Sequence, residues 1–112
     1  MDPDSQPRVV DLAEESRFVL REGGAEAELV YALEDGRLVL VHTGVPDEMA
    51  GRGVGGRLVK VALDRAAREG LRVVPLCPFA RRWLRNHPDM AAGVDIDWRL
   101  PPGWGRHAGD ES

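Results

Sequence analysis

The first half of the chain has the alternating apolar pattern of half-buried β-strands. In residues 25–34 every second residue is apolar, and glutamates hold several of the positions between them. Two turn signals, Gly23-Gly24 and Asp35-Gly36, separate this run from its neighbours. The predicted strands are residues 8–12, 17–21, 25–34 and 37–45. Because the turns between them are short, the pattern predicts an antiparallel β-meander.

The Asp35-Gly36 turn also predicts a strand register. A two-residue hairpin loop determines which residues lie opposite each other. The expected pairs are Leu33 with Leu38, Tyr31 with Leu40, and Leu29 with His42. His42 is therefore expected on the same sheet face as Tyr31 and Leu40. The continuous apolar run at residues 38–41 predicts a strand that is covered on both faces.

Residues 54–69 have the clearest helical pattern. Apolar residues recur every three or four positions and form one stripe, which consists of Leu58, Val59, Ala62, Leu63 and Ala66. Gly70 follows at the position where helices commonly end. The apolar segment at residues 71–76 is then expected to be a strand parallel to the previous one, reached by a right-handed crossover. A second helix is expected to begin at Cys77-Pro78 and to end at His87-Pro88.

Together these elements predict one mixed α/β domain: an antiparallel meander, a glycine loop, a helix, a parallel strand and a short helix. The chain has 112 residues, which is enough for a single domain with an adequate core. We assign this domain to residues 8–100, with a short terminal strand at residues 95–98. Residues 1–7 are expected to be a disordered lead-in and residues 101–112 a flexible tail.

Composition argues against several classes of protein. The formal net charge of −4 argues against a general nucleic-acid binder and suits a cationic amine as partner. The single cysteine rules out an internal disulfide bond, and no metal-ligand spacing is present. No apolar run has the length of a membrane span and the N-terminus does not have the pattern of a signal peptide, so we expect a cytoplasmic protein.

Four glycines, Gly51, Gly53, Gly55 and Gly56, lie between the fourth predicted strand and the first helix. Glycine permits tight turns and lets backbone N–H groups approach a ligand with no Cβ in the way. The first turn of the helix adds unpaired N–H groups and the positive end of the helix dipole. Strand, loop and helix N-terminus together indicate an anion site, usually for phosphate. A tight turn without a ligand is the alternative.

Two nucleotide-binding motifs do not fit this loop. Gly51, Gly53 and Gly56 spell G-x-G-x-x-G, but the dinucleotide motif also needs an acidic residue at the end of the second strand. Here that strand ends Pro75-Leu76-Cys77-Pro78, without a carboxylate. The phosphate-loop pattern G-x-x-x-x-G-K-[ST] is also absent.

The segment from Met49 to Gly56 resembles the acetyl-CoA pyrophosphate loop of the GCN5-related N-acetyltransferase superfamily. The family pattern Gln/Arg-x-x-Gly-x-Gly/Ala falls on residues 50–55, with Ala50 where the family has Gln or Arg. The likeness extends over residues 8–90, through residues 73–79 and His87-Pro88, and points to the small single-domain group of this superfamily. Because such a loop binds mainly through backbone N–H groups, Ala50 is expected to weaken the site without abolishing it.

The resemblance implies an acetyl-CoA-dependent N-acetyltransferase that acts on an amine acceptor. In this superfamily the strand before the glycine loop splays away from the parallel strand, and pantetheine lies in the opening. The contacts expected for the cofactor are Thr43, Gly44, Val45, Gly51, Arg52, Gly53, Val54, Gly55, Gly56 and Arg57. The acceptor, a small molecule or a protein, and the oligomeric state stay open at this point.

His42 and Cys77 are the candidate catalytic residues, because the resemblance places the thioester between them. An imidazole exchanges a proton near neutral pH, so His42 suits a general base. Cys77 precedes a helix, where the dipole favours a thiolate, and is either a transient acetyl carrier or a small buried residue.

Trp83 is a second departure from the family pattern. Members of the group commonly have a tyrosine at this position, whose hydroxyl can reprotonate the CoA thiolate, and an indole cannot replace it. Ala50 and Trp83 therefore favour the main alternative function, a non-catalytic module that binds CoA or acyl-CoA. A small interaction domain with an empty loop is the third possibility.

Overall fold

The computed structural model describes residues 8–99. Its strands are β1 (Val9–Leu12), β2 (Arg17–Glu22), β3 (Ala25–Glu34), β4 (Arg37–Gly44) and β5 (Arg72–Pro75). Its helices are α1 (Val54–Glu69), α2 (Pro78–Asn86) and α3 (Pro88–Ala91). The expected lead-in at residues 1–7, the expected tail at residues 101–112, and Leu100 lie outside the described residues.

The strands form one five-stranded sheet in the order β1-β2-β3-β4-β5. Neighbouring strands from β1 to β4 are antiparallel, whereas β5 is parallel to β4. The chain crosses from β4 to β5 through α1. The predicted mixed α/β fold, a meander followed by a helical crossover, is confirmed.

Both predicted hairpin turns form with positive backbone φ angles. The values are 57° at Gly23, 84° at Gly24, 52° at Asp35 and 76° at Gly36. A two-residue hairpin loop that matches the twist of its strands needs φ > 0 at both positions, as the Asp35-Gly36 turn has. Glycine adopts such angles without steric cost, and aspartate tolerates them better than most residues.

One face of the sheet packs against α1 and forms the main core. Its largest fully buried side chains include Phe18, Leu29, Leu38, Leu40 and Leu58. The predicted apolar stripe of α1 is buried along its whole length. A smaller cluster of Val39, Val74 and Leu76 lies on the opposite face, which we call the second face. β4 is therefore covered on both sides at residues 38–40, as its continuous apolar run predicts.

α1 and α2 approach closely because Gly55 and Gly56 have no side chains. A Cβ at Gly55 would lie 2.6 Å from Cζ of Phe79, and a Cβ at Gly56 would overlap Nε1 of Trp83. Both glycines are buried in the first turn of α1. Two of the four loop glycines are thus required by helix packing, whether or not a ligand binds.

The predicted register of the β3–β4 hairpin is correct as far as Leu40 and wrong beyond it. The observed pairs are Leu33–Leu38, Tyr31–Leu40, Val30–His42 and Leu29–Thr43. Val41 is an extra residue on β4, which is a β-bulge. Since one inserted residue reverses the facing of the residues beyond it, His42 points to the second face and Thr43 to the α1 face.

The C-terminal part differs from the predictions in two respects. Residues 95–98, expected as a terminal strand, contribute one isolated bridge, between Ile96 and Val73. A helical turn, α3, follows the predicted helix end at His87. Pro88 suits the first position of a helix, because that position has no use for an N–H group.

A hydrogen-bonded group of three side chains ties α1 to the sheet. The hydroxyl of Tyr31 on β3 donates to Oδ1 of Asp11 on β1, at 2.7 Å. Nη1 of Arg65 on α1 donates to Oδ2 of Asp11 at 2.8 Å and to the Tyr31 oxygen at 2.7 Å. The Arg65 side chain is only 11% exposed, so solvent screens these contacts weakly.

We expect Tyr31→Phe to lower the free energy of unfolding by about 1–2 kcal/mol, because Asp11 and Arg65 each lose a partner. Burial, and then the hydrogen bond to Asp11, raises the pKa of Tyr31 above its ordinary 10.0. With a raised pKa in the folded state, this stabilisation is complete below about pH 10 and is lost as the pH rises further.

The test is urea unfolding of wild type and variant at about pH 7 and about pH 10.5. The difference in the free energy of unfolding between the two proteins should be smaller at about pH 10.5 than at about pH 7. Tyrosinate absorbance reads the same group directly, because Tyr31 is the only tyrosine. Equal stabilities at neutral pH would contradict the structural role of this hydroxyl.

Gly56→Ala is expected to destabilise the protein by about 1–3 kcal/mol, because the new methyl group collides with Trp83. At an unobstructed helix position the same change stabilises by up to about 1 kcal/mol, so the sign of the effect is diagnostic. Urea unfolding in a double-mutant cycle with Trp83→Phe measures the change in the free energy of unfolding. Gly56→Ala should destabilise the protein less when the ring at position 83 is smaller. A stabilising Gly56→Ala would show that the helices do not need this contact.

Candidate functional site

β4 and β5 separate after Leu40, which leaves an opening at the carboxyl ends of the two strands. The last paired residues are Leu40 and Pro75. The carbonyl oxygen of Leu40 accepts the N–H groups of both Leu76 and Cys77, at 3.0 Å each. Residues 41–44 continue β4 without a partner in β5. Their backbone edge therefore faces an opening in which an extended ligand can bind.

Thr43 and Cys77 meet across this opening. Oγ1 of Thr43 and Sγ of Cys77 are 3.1 Å apart. Cys77 is 4% exposed and is the residue immediately before α2, with Pro78 in the first helical position. The sulfur therefore lies beside the N-terminal end of α2. The β-bulge is the reason that Thr43, and not His42, reaches the cysteine.

His42 lies on the other side of β4. It is exposed on the second face, opposite Val30. Adjacent residues of a strand point to opposite faces, so the His42 and Thr43 side chains flank the strand end from two sides. The structure thus brings Thr43 to Cys77 and separates His42 from both. That His42 and Cys77 are catalytic stays a prediction.

The glycine loop follows a short helical turn at Asp47–Met49, and Met49 anchors it in the core with 2% exposure. Gly51 and Gly53 have φ angles of 80° and 74°, which other residues adopt only with strain. No atom lies within 4 Å of the position that a Cβ would take on either glycine. Gly51 and Gly53 are therefore required by the backbone conformation of the loop, and the space beside both residues is open.

The N-terminus of α1 lies directly behind this loop. Gly53 is its N-cap and, as a glycine, supplies no side-chain hydrogen bond to the first turn. The first helical hydrogen bond runs from the N–H of Arg57 to the carbonyl oxygen of Gly53, at 3.1 Å. The N–H groups of residues 54–56 precede it and form the positive end of the helix. This geometry fits an anionic group such as a pyrophosphate.

Two charged residues join the loop to the neighbouring hairpin. Nη1 of Arg52 donates to Oε1 of Glu22, at the end of β2, at 2.6 Å. Arg52 is thus already engaged by a carboxylate, although its side chain is 58% exposed. Arg57 lies exposed in the first turn of α1.

Trp83 and His87 form a stacked pair beside α1. Their ring centroids are 4.0 Å apart and the ring planes differ by 15°. Nδ1 of His87 donates to the backbone oxygen of Trp83 at 2.8 Å, and His87 is the C-cap of α2. Both residues therefore contribute to the end of α2, and Trp83 also lies against Gly56 of α1.

Sequence reasoning missed the side chains of Thr43 and Glu28. The sequence gives Thr43 only as a cofactor contact, and Glu28 only as one of the glutamates between the apolar positions of residues 25–34. The one available signal was Gly44, since a glycine inside a strand often marks a bulge or a close approach.

Two features commonly sought in a functional site are not found in the described part of the chain. Residues 8–99 contain no group of three or more His, Cys, Asp and Glu side chains arranged to hold a metal ion. No helix within these residues is long and apolar enough to cross a membrane.

Comparison with known proteins agrees with this architecture. Protein NATD1 of Xenopus tropicalis is 33% identical over 91 residues, which cover 79% of this chain and 84% of that protein. Protein NATD1 of Bos taurus is 36% identical over 75 residues, or 64% of this chain and 66% of that protein. The solution structure of a GCN5-like protein from Staphylococcus aureus superposes with a TM-score of 0.64 at 25% identity, covering 91% of this chain and 98% of that one.

The family model described as GCN5-related N-acetyl-transferase matches residues 17–93. This range extends from β2 to the end of α3, so it contains the strand opening, the glycine loop and the packing of α1 on α2. The chain belongs to the GCN5-related N-acetyltransferase family.

Proposed function

We propose that this protein transfers the acetyl group of acetyl-CoA to an amine acceptor. The observation that carries the proposal is the opening between β4 and β5, which leads to the open N-terminus of α1. A nucleotide cofactor with a long pantetheine arm needs both features, an anion site for its phosphates and a backbone edge for its arm.

The cofactor contacts follow from these two features. The backbone of Gly51, Gly53 and residues 54–56 binds the pyrophosphate, and the backbone of residues 43–45 binds the pantetheine arm. Arg52 can bind a phosphate without leaving Glu22, because a guanidinium has five N–H donors and the contact with Glu22 uses one. Arg57 adds positive charge beside the loop.

The chemistry places different residues on the two sides of β4. Bound acetyl-CoA supplies the acetyl group as a thioester. His42 takes a proton from the acceptor amine on the second face, and its exposure lets water remove that proton. The amine nitrogen then bonds to the acetyl carbon as the carbon–sulfur bond breaks. Solvent, or the Cys77 thiol on the α1 side, would return a proton to the departing sulfur.

A CoA-binding module without turnover is the second candidate. Trp83, in the position of the family's tyrosine, packs against Gly56 and stacks on His87, and an indole does not supply an acidic proton. Thermal shift with CoA tests binding, since a ligand of the native state raises the melting temperature. Thiol release from acetyl-CoA with a panel of amines tests transfer. Binding without thiol release would favour the module.

Gly53→Asp is expected to weaken acetyl-CoA binding at least tenfold, or about 1.4 kcal/mol, relative to Gly53→Asn. Aspartate and asparagine have nearly the same shape and both tolerate positive φ, so the pair differs in charge alone. Because both side chains tolerate the positive φ of Gly53, both variants are expected to fold. Calorimetric titration with acetyl-CoA gives the answer, and equal dissociation constants for the two variants would place the pyrophosphate elsewhere.

His42→Ala is expected to reduce the rate of transfer by about 10²–10⁴-fold if His42 is the general base.

Direct attack of the amine predicts that Cys77→Ala keeps most activity and that acetyl-CoA alone adds no mass to the protein. A covalent route predicts the reverse: one acetyl mass on Cys77, lost together with turnover in Cys77→Ala. We favour direct attack, because a deprotonated amine needs no covalent step. Undiminished turnover of a folded His42→Ala variant would remove His42 from the mechanism.

A further inference from the structure

Gly44 leaves a gap between two side chains on the second face of the sheet. It lies opposite Glu28 in the β3–β4 pairing, two residues after His42. A Cβ built at Gly44 would be 3.4 Å from Nε2 of His42 and 3.9 Å from Oε2 of Glu28. The imidazole and the carboxylate thus border the same small space, which we call the His42–Glu28 gap. A larger residue at position 44 would fill it.

Negative charge is available at this gap. Oε1 of Glu28 accepts a hydrogen bond from Nη1 of Arg17 at 3.1 Å, while Oε2 borders the gap. Arg17 also pairs with Glu15 and Glu26, and Glu26 pairs in addition with Arg21. Three carboxylates therefore contact Arg17, and Oε2 of Glu28 is the carboxylate oxygen that borders the gap.

We propose that Glu28 binds the acceptor amine as an ammonium ion in the His42–Glu28 gap, and so selects cationic primary amines. This rests on the proposed acetyl transfer. An aliphatic amine is almost fully protonated near neutral pH and must bind as a cation before it can lose a proton. Oε2 of Glu28 accepts one of its N–H bonds, and Nε2 of His42 accepts the proton that leaves. The partly buried carboxylate makes a charge-assisted hydrogen bond, which is stronger than one to a neutral group.

Two other glutamates near the ends of β2 and β3, Glu22 and Glu26, do not fit this role. Glu26 is held by Arg17 and by Arg21, and it lies opposite Arg21 in the β2–β3 pairing. Glu22 is held by Arg52 of the glycine loop. Glu28 alone among these three is one of the side chains within 4 Å of the Gly44 Cβ position.

The test compares Glu28→Gln with Glu26→Gln in the 112-residue chain. Both variants remove one charge from the same strand and one carboxylate partner from Arg17, so effects on stability and general electrostatics should match. Binding of 1,5-diaminopentane to the CoA-loaded protein is followed by the NMR amide shift of Gly44. We expect its dissociation constant to rise about tenfold in Glu28→Gln and to stay within about twofold in Glu26→Gln. Equal constants in the two variants would overturn the proposal.

Gly44→Ala provides a second variant that retains the charge. Gly44 does not have a positive φ, and the nearest atom to the added methyl is 3.4 Å away, so the variant should fold. Since the methyl group occupies the gap, Gly44→Ala should weaken the binding of 1,5-diaminopentane as strongly as Glu28→Gln does. The dissociation constant is measured from the NMR shifts of His42. Diamine binding at the wild-type level would overturn the proposal.

Thiol release from acetyl-CoA separates this proposal from the proposed function. If both are correct, Glu28→Gln raises KM for 1,5-diaminopentane about tenfold with a much smaller effect on kcat, and leaves KM for neutral aniline unchanged. Wild-type turnover with a KM that does not respond to Glu28→Gln overturns the Glu28 role alone. Glu28-dependent diamine binding without any thiol release overturns acetyl transfer and leaves the ammonium site standing.

Discussion

The carbonyl oxygen of Leu40 accepts two N–H groups, from Leu76 and Cys77, and the site depends on this contact. It ends the parallel pairing of β4 with β5 and starts the turn into α2. Pro78 follows, which has no N–H group to extend a ladder but suits the first turn of a helix. The consequence is that residues 41–44 have no partner in β5, with Cys77 held at the base of the opening.

The glycine loop is held from behind by helix packing. Gly55 and Gly56 let α2 lie against the first turn of α1, while Gly51 and Gly53 supply the positive φ angles that lead into that turn. One short run of glycines thus meets two unrelated steric requirements. Rigid support of this kind keeps the N–H groups of α1 in a fixed position relative to the strand opening, as an anion site requires.

The bulge at Val41 places the candidate catalytic side chains on different faces of the sheet. Beyond it, Thr43 meets Cys77 on the α1 side, whereas His42 lies beside Gly44 and Glu28 on the second face. In the proposed reaction this separation is useful, because the donor thioester and the acceptor amine need to reach one strand end from different directions. A hairpin without the bulge would place His42 on the crowded α1 face.

Local patterns determined most of the fold. Alternation located β3, short apolar runs beside the two hairpin turns located β2 and β4, and helical periodicity gave α1 with the bounds observed. These features depend on neighbours in sequence, so the chain itself records them. The bulge, the Thr43–Cys77 contact and the His42–Glu28 gap depend on which residues of distant strands lie opposite each other. The continuous apolar run at residues 38–41 is compatible with either facing of His42, and only cross-strand pairing in the folded sheet selects one of them.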